Sequence, residues 1–227
     1  KLNHDDHERV WYADVVEFIT EEKVLSTLLT PTPYGEGDQR WDNYRNCAVN
    51  EILGFYGLQY WYTWQVTILG LGTIWMADNQ EAKQLAAHLL REGGVCAFGL
   101  SERAHGADLY SSEMTLVPQA DGSYPARGSK YYIGNGNCVA LVSTFGKLAD
   151  SGDYVFFVVK PEHPAYECVK KIDTSGVRQA YVAEFTLHDY PITDREILSR
   201  GQLAWNSSLH TINVGKYQLG CASICIC

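Results

Sequence analysis

The residues best suited to chemistry fall in one stretch, Cys96 to Gly136. Within it Ser101, Glu102, His105 and Asp108 put a hydroxyl, two carboxylates and an imidazole on one short loop. The loop follows an apolar run, Val95-Cys96-Ala97-Phe98-Gly99-Leu100, of the length of one buried strand. The run stops at Ser101-Glu102, and the small residues Ala104-His105-Gly106-Ala107 lead to Asp108. A strand end of this kind presents backbone N–H groups beside a hydroxyl, which suits a polar heterocycle or an anionic phosphate. Asp121-Gly122 is a hairpin signal between strands expected at Glu113–Pro118 and Tyr124–Ile133. The second of these closes on Tyr132-Ile133-Gly134-Asn135-Gly136, an aromatic followed by a flexible polar turn. Spacing describes a β-domain whose two loops could grip one ligand, but spacing alone favours a β-barrel with ordinary turns.

The elements that must carry this stretch can be read on either side of it. Apolar residues at helical spacing predict helix from Asp5 to Leu29, ended by Pro31 and Pro33. A second helix is expected over Asp38 to Tyr56, with Trp41, Tyr44, Ala48, Ile52 and Phe55 or Tyr56 on its apolar face. Leu58 to Met76 is almost wholly apolar, yet it carries Gln59, Gln65, several threonines and glycines, and no basic flank. It reads as a helix buried in a bundle, its aromatic stripe serving the core. A helix from Gln80 to Arg91 follows an Asp78 or Asn79 cap and ends at Gly93-Gly94. After the hairpin, strands are expected at Val139–Phe145, Asp153–Lys160, Tyr166–Lys171 and Ala180–Leu187. Pro191 to Leu198 then leads out of the sheet, and helix returns after Gln202.

The 227 residues suffice for one large or two modest domains, and 46% hydrophobic content supports a real core. A net charge of −9 without a basic run excludes a nucleic-acid surface. The seven cysteines are scattered and odd in number, which fits a reducing compartment. Cys221, Cys225 and Cys227 cluster without a matching Cys or His set, so they read as small hydrophobes and no metal site is expected. Lys1 is not a natural start, and the closing apolar helix lacks a stop signal, so it reads as cut in mid-course.

Two segments carry a family resemblance. Phe98 to Asp108 resembles the first signature of the acyl-CoA dehydrogenase flavoproteins: an aromatic, two small or apolar residues, then Thr-Glu-Pro-Gly-Ala-Gly-Ser-Asp. Arg127-Gly128-Ser129-Lys130-Tyr131-Tyr132-Ile133-Gly134-Asn135-Gly136 resembles the second, Asn-Gly-x-Lys-x-Trp-Ile-Thr-Asn-Gly. Both occur in the family's order and at its spacing. The resemblance implies an α+β fold: an N-terminal all-α domain over residues 1–94, a β-barrel-like flavin-binding domain over 95–200, and the start of a truncated C-terminal helical bundle over 201–227. It also implies FAD as cofactor and an acyl-CoA thioester as substrate, dehydrogenated to the trans-2-enoyl form by α-proton abstraction and hydride transfer to flavin N5. Electron-transferring flavoprotein is the implied acceptor, and a homodimer or homotetramer the implied full-length assembly. The implied location is intracellular: cytoplasmic in a bacterium, mitochondrial matrix or peroxisome in a eukaryote.

Carried over residue by residue, the resemblance makes Phe98, Leu100, Ser101, Gly106, Ala107, Tyr132, Ile133 and Gly134 the flavin-lining set. Ser101 stands where the family has a threonine that bonds the ring, and Tyr132 where it has a tryptophan packed on it. Ala107 and Gly134 stand where it has hydroxyl side chains, and those contacts are missing here. Ala107, Asn213 and Lys216 are the implied substrate contacts, Lys216 near the thioester in place of an arginine. Glu102 and Asp108 are expected to hold the loop, and His105 to be solvated. No residue of the chain occupies a family base position, since a minority of members place it at Gly215 and the rest beyond this sequence. His105-Gly106 resembles the corresponding pair in acyl-CoA oxidases, which pass electrons to O2. The other alternative is a non-catalytic acyl-CoA or partner-binding module on the same fold.

Overall fold

The structure is a computed structural model that describes residues 2–226, so Lys1 and Cys227 lie outside it. The helical start is broken into α1 (Leu2–His7), α2 (Ala13–Glu21) and α3 (Val24–Leu29) rather than forming one helix from Asp5. The breaks fall where Arg9 and Lys23 take φ of 55°. Arg9 is drawn away by tertiary bonds: its guanidinium donates to Thr174 O at 3.1 Å, and Lys171 Nζ donates to its carbonyl at 3.3 Å.

Helix α4 runs from Asn43 to Tyr56, starting later than Asp38 because Asp42 caps it, accepting from the amides of Tyr44 and Arg45. Its expected apolar face is the wrong one. Tyr44, Ile52, Phe55 and Tyr56 are exposed, while Asn46, Asn50 and Gly54 are buried. Two contacts explain the rotation. A Cβ at Gly54 would lie 2.9 Å from Ala222 O, so the glycine admits the last helix, and Asn50 bridges Trp61 Nε1 (2.8 Å) and Gln218.

Helix α5 (Leu58–Met76) is the central, mostly buried helix, and among the described residues no helix is long and apolar enough to cross a membrane. α6 (Gln80–Arg91) is capped by Asn79, whose carboxamide accepts from Ala82 N. Strands β1 (Val95–Gly99), β2 (Thr115–Leu116), β3 (Ala126–Gly134), β4 (Val139–Leu148), β5 (Tyr154–Val159), β6 (Tyr166–Lys171), β7 (Val182–Tyr190) and β8 (Ile197–Arg200) follow, then α7 (Gly201–Ile226). β8 pairs antiparallel with β5, so the segment expected to leave the sheet ends instead as its edge strand. β2 is shorter than expected because the amides of Glu113 and Met114 are taken by the Glu102 carboxylate.

The sheet order is β6-β7-β3-β2-β4-β5-β8, with β1 also on β4. All eight strands contribute to one apolar cluster, from Ala97 and Leu116 through Val142, Phe157 and Phe185 to Ile197, as a barrel-like sheet requires. α5 seals this layer. A Cβ at Gly70 would sit 2.6 Å from Ala97 O, and Ser143 Oγ donates to Gly70 O. α7 then packs across α4 and α5.

Candidate functional site

β1 and β2 lie end to end along one edge of β4, both parallel to it: β1 at Val139–Thr144 and β2 at Lys147–Leu148. The loop over residues 100–114 therefore leaves the sheet at a gap in that edge. Glu102 fastens it there. Its carboxylate receives Ser112 Oγ (2.7 Å), the amides of residues 113 and 114 (2.7 and 3.0 Å), and the Lys130 ammonium at 2.7 Å. Lys130 is wholly buried and also donates to Leu100 O at 2.9 Å. Burial draws the ammonium down to about 8, against the attraction of Glu102. For Glu102, burial is outweighed by Lys130 and the loop donors, which hold the carboxyl below the usual range. The expected loop-holding role of Glu102 is thus what its bonding does.

His105 is less solvated than expected, with 19% of its side chain exposed, lying 3.8 Å from Asp108 and 3.6 Å from Glu113. Glu102, His105 and Glu113 bring ligand atoms within 4.8 Å of one another, but both Glu102 oxygens are already engaged, Oε1 by three donors and Oε2 by the Glu113 amide.

The second loop is tied to the first. Ser101 Oγ donates to Tyr131 O at 2.7 Å, and Tyr131 N donates to Ser101 O at 2.9 Å. Ser101 thus spends its proton on the backbone and keeps only lone pairs for a ligand. The β3–β7 register slips between Tyr131 and Ile133, and Tyr132 takes φ of 66° at this bulge. Its ring stands out from the sheet, 57% exposed. Asn135 also takes a left-handed φ (62°); its carboxamide donates to Thr63 O and Cys96 O, pinning the end of β3 to α5 and β1.

Between the strand end, the bulge, α5 and α7 lies a mainly apolar cavity of about 540 Å³. Phe98, Leu100, Ser101, Tyr132, Gly134 and Lys216 line it. So do Tyr62, Gln65, Val66 and Leu69, an i, i+3, i+4, i+7 stripe of α5. No Asp, Glu or His is among the described lining residues.

No family profile matches the chain. A curated relative, the short-chain specific acyl-CoA dehydrogenase of Megasphaera elsdenii, is 22% identical over 216 residues, which is 93% of this chain and 56% of the relative. The solved butyryl-CoA dehydrogenase from Megasphaera elsdenii superposes with a TM-score of 0.87 at 21% identity, covering 98% of this chain and 59% of that one. The chain has the acyl-CoA dehydrogenase fold. An acyl-CoA dehydrogenase from Bacillus anthracis, solved in complex with FAD, superposes with a TM-score of 0.86 at 21% identity over 99% of this chain and 38% of that one. The chain spans 34–56% of the length of the curated relatives it matches.

In this acyl-CoA dehydrogenase fold the cavity gathers six of the residues singled out in the sequence: Phe98, Leu100, Ser101, Tyr132, Gly134 and Lys216. Gly106, Ala107, Ile133 and Asn213 do not line it; Ile133 is buried in the sheet, and Asn213 is exposed on α7. Gly215 does line it, and its carbonyl accepts from Gln65 Nε2 at 3.3 Å. Sequence reasoning assigned the α5 stripe to the core alone. The signal that could have found it is the pair Tyr62 and Gln65, polar groups one turn apart on an otherwise apolar helix face.

Proposed function

We propose that the chain supplies the flavin cradle and the acyl-facing wall of an FAD-dependent acyl-CoA dehydrogenase. The observation that carries this reading is the single cavity joining the Ser101 loop, the Tyr132 bulge, α5 and α7. FAD suits these residues on three counts. Tyr132 offers an exposed aromatic ring braced edge-to-face by Tyr131, Gly134 adds no side chain of its own to the wall beside it, and the lining is apolar enough to exclude water from a ring system. Bound FAD would supply the hydride acceptor for the acyl β-carbon.

The chain's own residues have positioning roles in this scheme. Ser101 and Leu100 set one rim, held in place by the buried Glu102–Lys130 pair beneath them. Lys216, exposed at the cavity mouth, offers a positive charge to the thioester or the CoA arm. Removing the α-proton requires a base, and the described lining offers none. Electron-transferring flavoprotein is the proposed acceptor, and 1–94, 95–200 and 201–227 the proposed domain division.

The test is to titrate the purified chain with FAD, following flavin absorption and fluorescence, and then to add acyl-CoA and an artificial electron acceptor. Bound flavin with a shifted absorption band and no steady acceptor reduction is the expected result. A titration that leaves the flavin spectrum unchanged throughout overturns the flavin reading. Steady turnover would place a base within these residues, with Glu102 the first to substitute.

A further inference from the structure

Two glycines on the cavity wall, Gly134 and Gly215, face α5. A Cβ at Gly134 would lie 2.6 Å from Val66 Cγ2, 2.7 Å from Tyr62 Cε1 and 2.9 Å from the Tyr62 hydroxyl oxygen. A Cβ at Gly215 would lie 2.8 Å from Leu69 Cδ2 and 3.0 Å from Gln65 Nε2. At both places a side chain from α5 fills the space that the facing residue leaves empty. The φ of Gly134 is not in the left-handed region, so its backbone does not demand glycine. The Val66 side chain and the Tyr62 phenol together keep position 134 bare.

The Tyr62 hydroxyl forms no hydrogen bond among the described residues, although its ring is packed between α5 and the end of β3. Burial pushes the phenol up to about 12, so it carries its proton throughout the ordinary pH range. Its near neighbour Thr63 is bonded to Tyr12, and Ser101 has given its proton to Tyr131 O. Tyr62 is therefore a hydroxyl donor with its proton still uncommitted, in a cavity whose walls are mostly apolar.

We propose that Tyr62 is a cofactor-contacting residue whose hydroxyl donates to the polar edge of the ring system held against Tyr132, from the place a side chain at position 134 would otherwise occupy. This rests on the flavin reading above.

Tyr62→Phe isolates the hydroxyl, since the ring and its packing remain. FAD titrations of the unaltered chain and the variant, with melting curves to establish equal folding, should show a three- to tenfold weaker Kd for Tyr62→Phe, roughly the loss of one neutral hydrogen bond, and a changed position of the flavin absorption band. Equal affinity with an unchanged band would overturn the proposal while leaving the flavin reading intact. Failure of the unaltered chain to bind FAD would overturn that reading, and this proposal with it. A second comparison shifts the hydroxyl to position 134. In a Tyr62→Ala/Val66→Ala background, adding Gly134→Thr should recover affinity, because the threonine hydroxyl then fits beside the same edge. No recovery in a folded protein would refute the shared position of the two hydroxyls.

Discussion

Replacing Glu102 by Gln should cost about 3–5 kcal/mol of folding stability, as breaking a buried ion pair from one side generally does. The structure bounds the cost from above. Lys130 is wholly buried, and without Glu102 its ammonium keeps only Leu100 O and Ser112 Oγ. It can escape by losing its proton, which at pH 7 costs ~1.36 kcal/mol for each of the roughly three to four units down from ~10.4, about 4–5 kcal/mol in all. Gln retains an acceptor for one of the loop donors, which trims the loss. Guanidinium unfolding followed by circular dichroism measures the change, and a drop of this size is a large share of the ~5–15 kcal/mol that holds a domain together. Lys130→Met removes the demand from the other side, so the double variant should be more stable than the sum of the two losses by ~1.5 kcal/mol or more. The pH dependence has a definite sign. Glu102 is held below its unfolded value, near 4.5, so its contribution is present above that pH and is lost as pH falls through the lower folded value. Lys130 is held at about 8, below its unfolded value, so the unfolded chain binds more protons between the two and stability rises with pH across that window. A Glu102→Gln cost under ~1 kcal/mol, or simple additivity in the cycle, would refute the reasoning.

Two further substitutions probe the supports of the site. Asn50→Ala strips the partner from the buried Trp61 indole and from Gln218, and should cost ~1–3 kcal/mol in denaturant unfolding. Asn79→Ala removes the α6 cap together with the bonds from its amide to Arg195 O and Ile197 O; the expected loss is ~1–2 kcal/mol, with faster amide hydrogen exchange at both α6 and β8.

The legible parts of the fold were those set by local chemistry. Leu58–Met76 is a helix because a long apolar run without Pro or charge has no better way to satisfy its backbone, and Asn79 marks the next start by its cap. The parts that were not legible depend on partners distant in sequence. The buried face of α4 is polar because Asn50 meets Trp61 and Gln218 and because Gly54 meets Ala222, none of which is apparent from the α4 segment. The breaks at Arg9 and Lys23 carry no Gly or Pro. At the site, the signatures placed Ser101 and Tyr132 on one cavity, but not Tyr62, whose role arises only where α5 crosses the end of β3. Gly106 and Ala107 lie away from that cavity because the loop turns off at Glu102 to meet Lys130.

The end-to-end seating of β1 and β2 on β4 also sets an order of events during folding. β1 is complete at Gly99, but its pairing edge is not made until Val139–Thr144 emerges, after the whole β2–β3 excursion. A parallel partner so far along the chain closes a large loop before any ladder bond repays the entropy, so this pairing belongs to the slow class of contacts. Until β4 arrives, the apolar run Val95–Phe98 lacks its ladder partner and has only packing against α5 and β3 to shelter it, which leaves this stretch open to misassociation in the nascent chain. The gap that later holds the Ser101 loop therefore takes shape only when β4 seats β1 and β2 along one edge.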